Sequence, residues 1–119
     1  MNVLLVDDEH ELVTTLAERL DLRGITARWA TSAEEALAAL QVERFDIAVL
    51  DLKLPKMDGL ELKRSMQRIS PAMKFIFVTG HGSAVDYEAV SSEIGREYYL
   101  AKPLDIERLI AKMKDVLGR

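Results

Sequence analysis

A doubly wound α/β domain with five parallel strands and five helices is the fold class this sequence predicts, and three observations carry it. Short apolar runs alternate along the chain with segments of helical periodicity, the pattern of successive βα units in a parallel sheet. The runs Val3–Val6, Ile47–Leu50 and Phe75–Val78 are apolar at every position and rich in branched or aromatic residues, as strands covered on both faces must be. The chain has 119 residues, 49% of them hydrophobic, and only three prolines, which suits one domain over residues 1–119 with a core of its own.

The elements follow in order. Asn2–Val6 is the first strand. Leu12, Val13, Leu16 and Leu20 then form a helical stripe, with His10 at its solvated start and Gly24 as its stop. Ile25–Ala30 is the second strand, in which Trp29 alternates with Ile25 and Ala27 and is expected to pack in the core or on the strand edge. Ser32 followed by Glu35 reads as a capping box that opens a helix with Ala33, Ala36, Leu37 and Leu40 turned inward. Asp46–Leu50 is the third strand. A helix from Gly59 to Ile69 follows, ending before Pro71, with Lys63, Arg64 and Arg68 assigned to a solvated face. Lys74–Val78 is the fourth strand. The segment from Ser83 to Ile94 reads as a helix, its stripe thinned by Ser91, Ser92 and scattered acids. Tyr98–Ala101 is the fifth strand. Asp105 caps the last helix, which aligns Ile106, Leu109, Ile110, Met113, Val116 and Leu117 on one face.

Composition excludes several functions. A net charge of −4 argues against nucleic acid as a direct ligand, because phosphate binding needs a basic face. With no cysteine, disulfides and thiolate metal sites are excluded. No apolar run approaches the roughly 18 residues needed to span a membrane. Acid interrupts VLLV after four residues, unlike a signal peptide, so a cytoplasmic location is expected.

In an open parallel sheet, ligands sit at the carboxyl ends of the strands. The first strand ends in Asp7 and Asp8, the third in Asp51, the fourth in Thr79, and the fifth in Lys102-Pro103. If the first and third strands are neighbours, three carboxylates converge beside one ammonium. Like charges packed together need protons or a cation to offset them. A hard divalent ion with oxygen ligands suits such a cluster, and Mg2+ takes one or two carboxylates plus a phosphate while keeping waters. A metal beside a free carboxylate suits phosphoryl transfer, with Thr79 and Lys102 as partners for the phosphoryl oxygens.

The stretches VLLVDDE, VLDLKLPKMDGLEL, FVTGHGS and YYLAKPLD are similar, in order and spacing, to the receiver domain of two-component response regulators. The similarity spans essentially the whole chain and implies a flavodoxin-like strand order 2-1-3-4-5. By that resemblance Asp51 accepts a phosphoryl group from a sensor histidine kinase or phosphotransfer protein. Asp7, Asp8 and Asp51 hold Mg2+ together with the backbone carbonyl of Lys53. Thr79 is the switch hydroxyl, Lys102 contacts the phosphoryl group, and Tyr99 is the aromatic that changes rotamer. Lys102-Pro103 matches a cis peptide bond, a state open mainly to proline. Lys53 and His81, two residues after the acceptor and after the threonine, are expected to tune the phosphoryl lifetime. The protein would then be no enzyme beyond its own phosphoryl transfer and autodephosphorylation. Its output would pass through the face made by the 83–94 helix, the fifth strand and the last helix, to an output domain or protein. FVTGHGS leans toward receivers that control transcriptional activators, and a phosphorylation-dependent homodimer is a further candidate partner. Two positions depart from the family pattern: Gly95-Arg96-Glu97 replaces a common Gly-Ala, and Leu104 stands where an aromatic is common.

Three other readings compete. An Asp-nucleophile phosphatase needs a general acid two residues after the nucleophile, and Lys53 stands there. A flavodoxin-like cofactor carrier needs a hydroxyl- and glycine-rich loop after the first strand, where Asp7-Asp8-Glu9 would repel phosphate. A pseudo-receiver that binds partners without phosphorylation is opposed by the complete set of acids, threonine and lysine.

Overall fold

The computed structural model describes residues 1–52, 54, 56, 58–79, 99–102 and 104–118. Its elements are β1 (Asn2–Val6), α1 (His10–Leu22), β2 (Thr26–Ala30), α2 (Ala33–Val42), β3 (Ile47–Asp51), α3 (Gly59–Ile69), β4 (Lys74–Thr79), β5 (Tyr99–Ala101) and the C-terminal helix α4 (Ile106–Leu117). The five strands form one sheet in the order β2-β1-β3-β4-β5, every neighbouring pair parallel. This is the doubly wound fold and strand order expected from the sequence. Four helices lie among the described residues; the helix expected over 83–94 lies outside them.

The unbroken apolar runs are explained by the two cores. All five residues of β3 are buried. Val3, Leu5, Ile47, Val49, Ile76 and Val78 face α1 and α4, meeting Val13, Leu16, Leu20, Leu109 and Met113. Their alternates Leu4, Val6, Ala48, Leu50, Phe75 and Phe77 face α2 and α3, meeting Ala36, Leu62 and Met66. A strand with partners on both faces has no position that tolerates a polar residue until it reaches its end.

Local sequence sets the helix limits. α1 ends in a Schellman motif: the amide of Gly24 donates to Asp21 (3.0 Å) and that of Ile25 to Leu20 (3.0 Å). The motif needs a left-handed residue, which Gly24 supplies at φ 79°. Ile25 is thereby used to close the helix while its side chain is buried, so β2 begins at Thr26 and not at Ile25. Ser32 caps α2 by accepting from the amide of Glu35 (3.1 Å). Glu35 reaches back to the amide of Thr31 (2.8 Å), one residue before the cap. Asp58 caps α3 and Asp105 caps α4.

One side chain departs from its expected place, and another takes one of the two places expected for it. Lys63 is buried at 7% exposure, not solvated. It falls on the inward stripe of α3 with Gly59, Leu62 and Met66, where spacing outweighs charge and a long aliphatic stem can be covered. Trp29 lies on the edge strand β2 and is 43% exposed, so it is not core. Its ring meets His10 edge-on, centroids 4.9 Å apart at 83°.

Gly59 brings α3 against the end of β3. A Cβ there would lie 2.7 Å from the carbonyl oxygen of Asp51 and 2.9 Å from the Cα of Leu52, both backbone atoms that cannot yield cheaply. The Gly59 amide also donates to the Leu52 carbonyl at 2.9 Å. Gly59→Ala is therefore expected to destabilise the domain by about 1–3 kcal/mol, as overpacking does. Urea unfolding reads it as a lower midpoint with an unchanged slope; a wild-type midpoint would show that the contact relaxes freely.

Candidate functional site

Sheet register builds the site. Val6 of β1 pairs with Leu50 of β3, so the next residues, Asp7 and Asp51, emerge side by side. β5 pairs Ala101 with Thr79, which places Lys102 one step beyond the sheet edge. From there the lysine stem passes over the end of β4 to reach β3 and β1.

Asp7 (6% exposed) and Asp51 (7%) are buried, whereas Asp8 is exposed. Oxygen atoms of the three carboxylates all lie within 4.8 Å of one another, a grouping able to hold a metal ion. The Lys102 ammonium lies 2.7 Å from Asp7 Oδ2, 3.0 Å from Glu9 Oε1 and 3.3 Å from Asp51 Oδ2. Burial alone would lower the Lys102 pKa. Hydrogen bonds to Asp7 and Glu9, and the charges of Asp51 and Asp7, outweigh that and hold the ammonium above its ordinary value. The second oxygen of Asp7 accepts the backbone amide of Glu9 at 2.9 Å, so this carboxylate is fixed at both ends.

Below the cluster, Leu5, Val13, Leu16, Val49, Val78 and Leu104 form an apolar floor around a void of about 10 Å³. That is no more than one water molecule requires, and Asp7 and Asp51 line its upper side. A reacting group must therefore approach from the exposed edge, where Asp8 stands. Leu104, the departure from the family pattern, packs against this floor and the α1–α4 core.

The structure thus brings together Asp7, Asp8, Asp51 and Lys102. Thr79 ends β4 on the same edge, though its side chain lies outside the described part. Tyr99 opens β5 opposite Phe77, half-buried against the α2–α3 core and away from the acids. Lys53, His81 and Pro103 lie outside the described residues. Glu9 was missed: it was not among the expected site residues, yet it touches Lys102. The only available signal was a third consecutive acid at a helix start.

The arrangement makes Lys102 the counter-ion of two buried carboxylates. Lys102→Met should cost about 3 kcal/mol at neutral pH, because removing one partner leaves buried charge unpaired. Adding Mg2+ should then raise the melting temperature of the variant more than that of the wild type, since the ion meets no competing ammonium. Equal Mg2+ responses in thermal melts would contradict this. The folded-state pKa of Lys102 is raised, so its contribution is complete below about pH 10 and is lost only as pH rises through that higher value. This group should add no slope to stability between pH 7 and 9.

Comparison with known proteins agrees with this arrangement. The family model of the response regulator receiver domain matches residues 3–114. The transcriptional regulatory protein GlrR of Escherichia coli is 35% identical over 116 residues, covering 98% of this chain but 26% of its own length. The chain therefore spans about a quarter of that relative. A CheY-like receiver domain from Methanospirillum hungatei superposes with a TM-score of 0.87 at 33% identity, covering 98% of this chain and 93% of its own. A response regulator from Burkholderia pseudomallei, solved with a phosphorylated aspartic acid, calcium and citrate, does so with a TM-score of 0.83 at 30% identity, covering 98% and 71%. With the β2-β1-β3-β4-β5 sheet and the acid-lined edge already in view, the family match settles membership: the chain belongs to the response regulator receiver domains of two-component signal transduction.

Proposed function

We propose that the chain is a phosphorylation-dependent switch whose phosphoacceptor is Asp51. The observation that carries the reading is the position of Asp51 at the end of β3, with Asp7 and Asp8 within 4.8 Å and the Lys102 ammonium 3.3 Å from its Oδ2. The phosphorylated aspartic acid named for the Burkholderia relative lends support by likeness. An Asp51 oxygen attacks the phosphorus of a phosphohistidine or a small acyl phosphate. The bond from phosphorus to the donor breaks, and the donor leaves with its electron pair. The product is an acyl phosphate whose added charge the lysine can share.

Mg2+ would be held by Asp8 and Asp51 directly, with the Lys53 carbonyl as a further ligand. Asp7 would act through water, because Lys102 and the Glu9 amide already engage its two oxygens. When bound, the ion offsets the charge developing on the transferring phosphoryl oxygens. Thr79 would bind the phosphoryl group, Tyr99 would follow by changing rotamer, the Lys102-Pro103 bond would be cis, and Lys53 and His81 would set the lifetime. The partners are a sensor histidine kinase or phosphotransfer protein and an output domain or protein, a transcriptional regulator by likeness to GlrR and an activator by the FVTGHGS stretch, with a phosphorylated second copy as an alternative. The setting is cytoplasmic. Among the described residues no helix is long and apolar enough to cross a membrane.

Incubation with Mg2+ and acetyl phosphate should add one phosphoryl mass, read by intact-protein mass spectrometry. The addition should vanish in Asp51→Asn and in the presence of EDTA. Undiminished labelling of Asp51→Asn would move the acceptor elsewhere. Asp8→Asn should weaken Mg2+ binding at least tenfold, whereas Glu11→Gln, in the first turn of α1, should not; equal effects would mean a diffuse field and no ion site.

The output surface is expected on the segment 83–94, β5 and α4. Adding beryllofluoride to mimic the phosphoryl group should shift NMR resonances across 84–101 while α4 stays in place. Shifts confined to the residues around Asp51 would show that the switch does not reach that face.

A further inference from the structure

Helix N-caps favour Ser, Thr, Asp or Asn, whose short side chains accept from first-turn amides. α2, α3 and α4 follow this with Ser32, Asp58 and Asp105, each accepting such a bond. α1 does not. Its N-cap is Glu9, whose side chain makes no capping bond. The carboxylate instead reaches Lys102, 93 residues away, at 3.0 Å. A position that breaks a local rule this way is spending its side chain on something else.

We propose that Glu9 is a positioning residue that holds the Lys102 ammonium at the rim of the pocket while Asp51 is unmodified and releases it when a phosphoryl group arrives. This rests on Asp51 being the acceptor. An ammonium has three N–H donors. Among the described residues three carboxylates face them, Asp7 at 2.7 Å, Glu9 at 3.0 Å and Asp51 at 3.3 Å. The bond to the acceptor is the longest, so the lysine is drawn toward β1 and away from the reacting carboxylate. A phosphoryl group on Asp51 can take over the N–H that now meets Asp51 Oδ2, but no fourth N–H exists, so a second phosphoryl oxygen is reached only if one of the other two bonds is given up.

Exposure decides which. The Asp7 side chain is 8% exposed, and unpairing it would strand a buried charge. The Glu9 side chain is 63% exposed, so water takes over when the lysine leaves. Glu9 therefore stabilises the resting arrangement and not the transfer state, and an interaction lost on the way to the transition state slows the step. The Glu9 amide, donating to Asp7 Oδ1 at 2.9 Å, keeps the residue in place throughout.

Two variants separate this from a mere loss of negative charge. Glu9→Gln removes the charge; Glu9→Asp keeps it but is one methylene too short to reach Lys102. In the metal-free, unphosphorylated protein, the Lys102 Nζ signal in 15N NMR should shift, and its protons should exchange faster, in both variants. With Mg2+ and acetyl phosphate, where an Asp51 oxygen displaces acetate from phosphorus, both should gain phosphoryl about two- to fivefold faster than wild type, the span expected for losing one exposed pair. Wild-type behaviour of Glu9→Asp in both measurements would show that only the charge matters and would overturn the holding role. Unchanged behaviour of both variants would overturn it too. If the wild type gains no phosphoryl group, the acceptor reading fails, and the Lys102 signal still decides the fate of Glu9. Matching urea midpoints for the variants and the wild type exclude misfolding as the cause.

Discussion

The sheet edge holds together because one ammonium serves several carboxylates. Asp7 and Asp51 are both buried, with oxygens within 4.8 Å of each other. Two unit charges at that distance repel by about 3 kcal/mol or more even at an effective dielectric of 20. The strand order determines where an offsetting charge can come from. β2 is the edge strand beyond β1, while β5 lies on the other side of β4, and it is β5 whose end delivers Lys102 across β4 to both acids. The fold thus places two acids and their counter-ion on separate chain segments that meet only when the whole sheet has formed. The same separation leaves the ammonium able to move, because its stem is anchored at β5 and not on the strands that carry the acids.

Backbone approach matters as much as charge. Asp51 is held by its pairing with Val78, by the Leu52 amide donating to Val78 at 3.0 Å, and by the start of α3 pressed against its carbonyl. Only a residue without a Cβ permits that last contact. The Asp51 carboxylate is therefore aimed by backbone on two sides and rests above an apolar floor. A side chain fixed in this way loses little freedom when a donor docks, which is how positioning lowers a barrier.

Much of this was legible in the sequence, for a physical reason. Strands buried on both faces must be apolar throughout, so the first polar residue after such a run marks the strand end, and Asp7, Asp51 and Lys102 were found that way. The misses have the opposite character. Glu9 could be recognised only once β5 had brought Lys102 to it, a contact across 93 residues that no local pattern contains. Lys63 was misread because charge was given priority over spacing, although it sits four residues after Gly59 and three before Met66 on the inward stripe. Trp29 was not a miss: of the two places expected for it, core or strand edge, the position of β2 at the edge selects the second and leaves the ring half-exposed beside His10.

The two cores constrain how a change at Asp51 can reach a partner surface. Asp51 continues the alternation of Ile47 and Val49, so it belongs to the face covered by α1 and α4. Tyr99 lies opposite Phe77 and packs against the core under α2 and α3, on the other face of the sheet. Close packing on both faces and the ladder hydrogen bonds tie the strands into one unit of low compressibility. Asp51 and Tyr99 pair with adjacent positions of β4, Val78 and Phe77, close to the carboxyl edge where the ladder ends. The last described pair there is Thr79 with Ala101, immediately before Lys102. Repacking either core with volume conserved should therefore change stability by less than about 1.5 kcal/mol, read as a small shift of the urea midpoint.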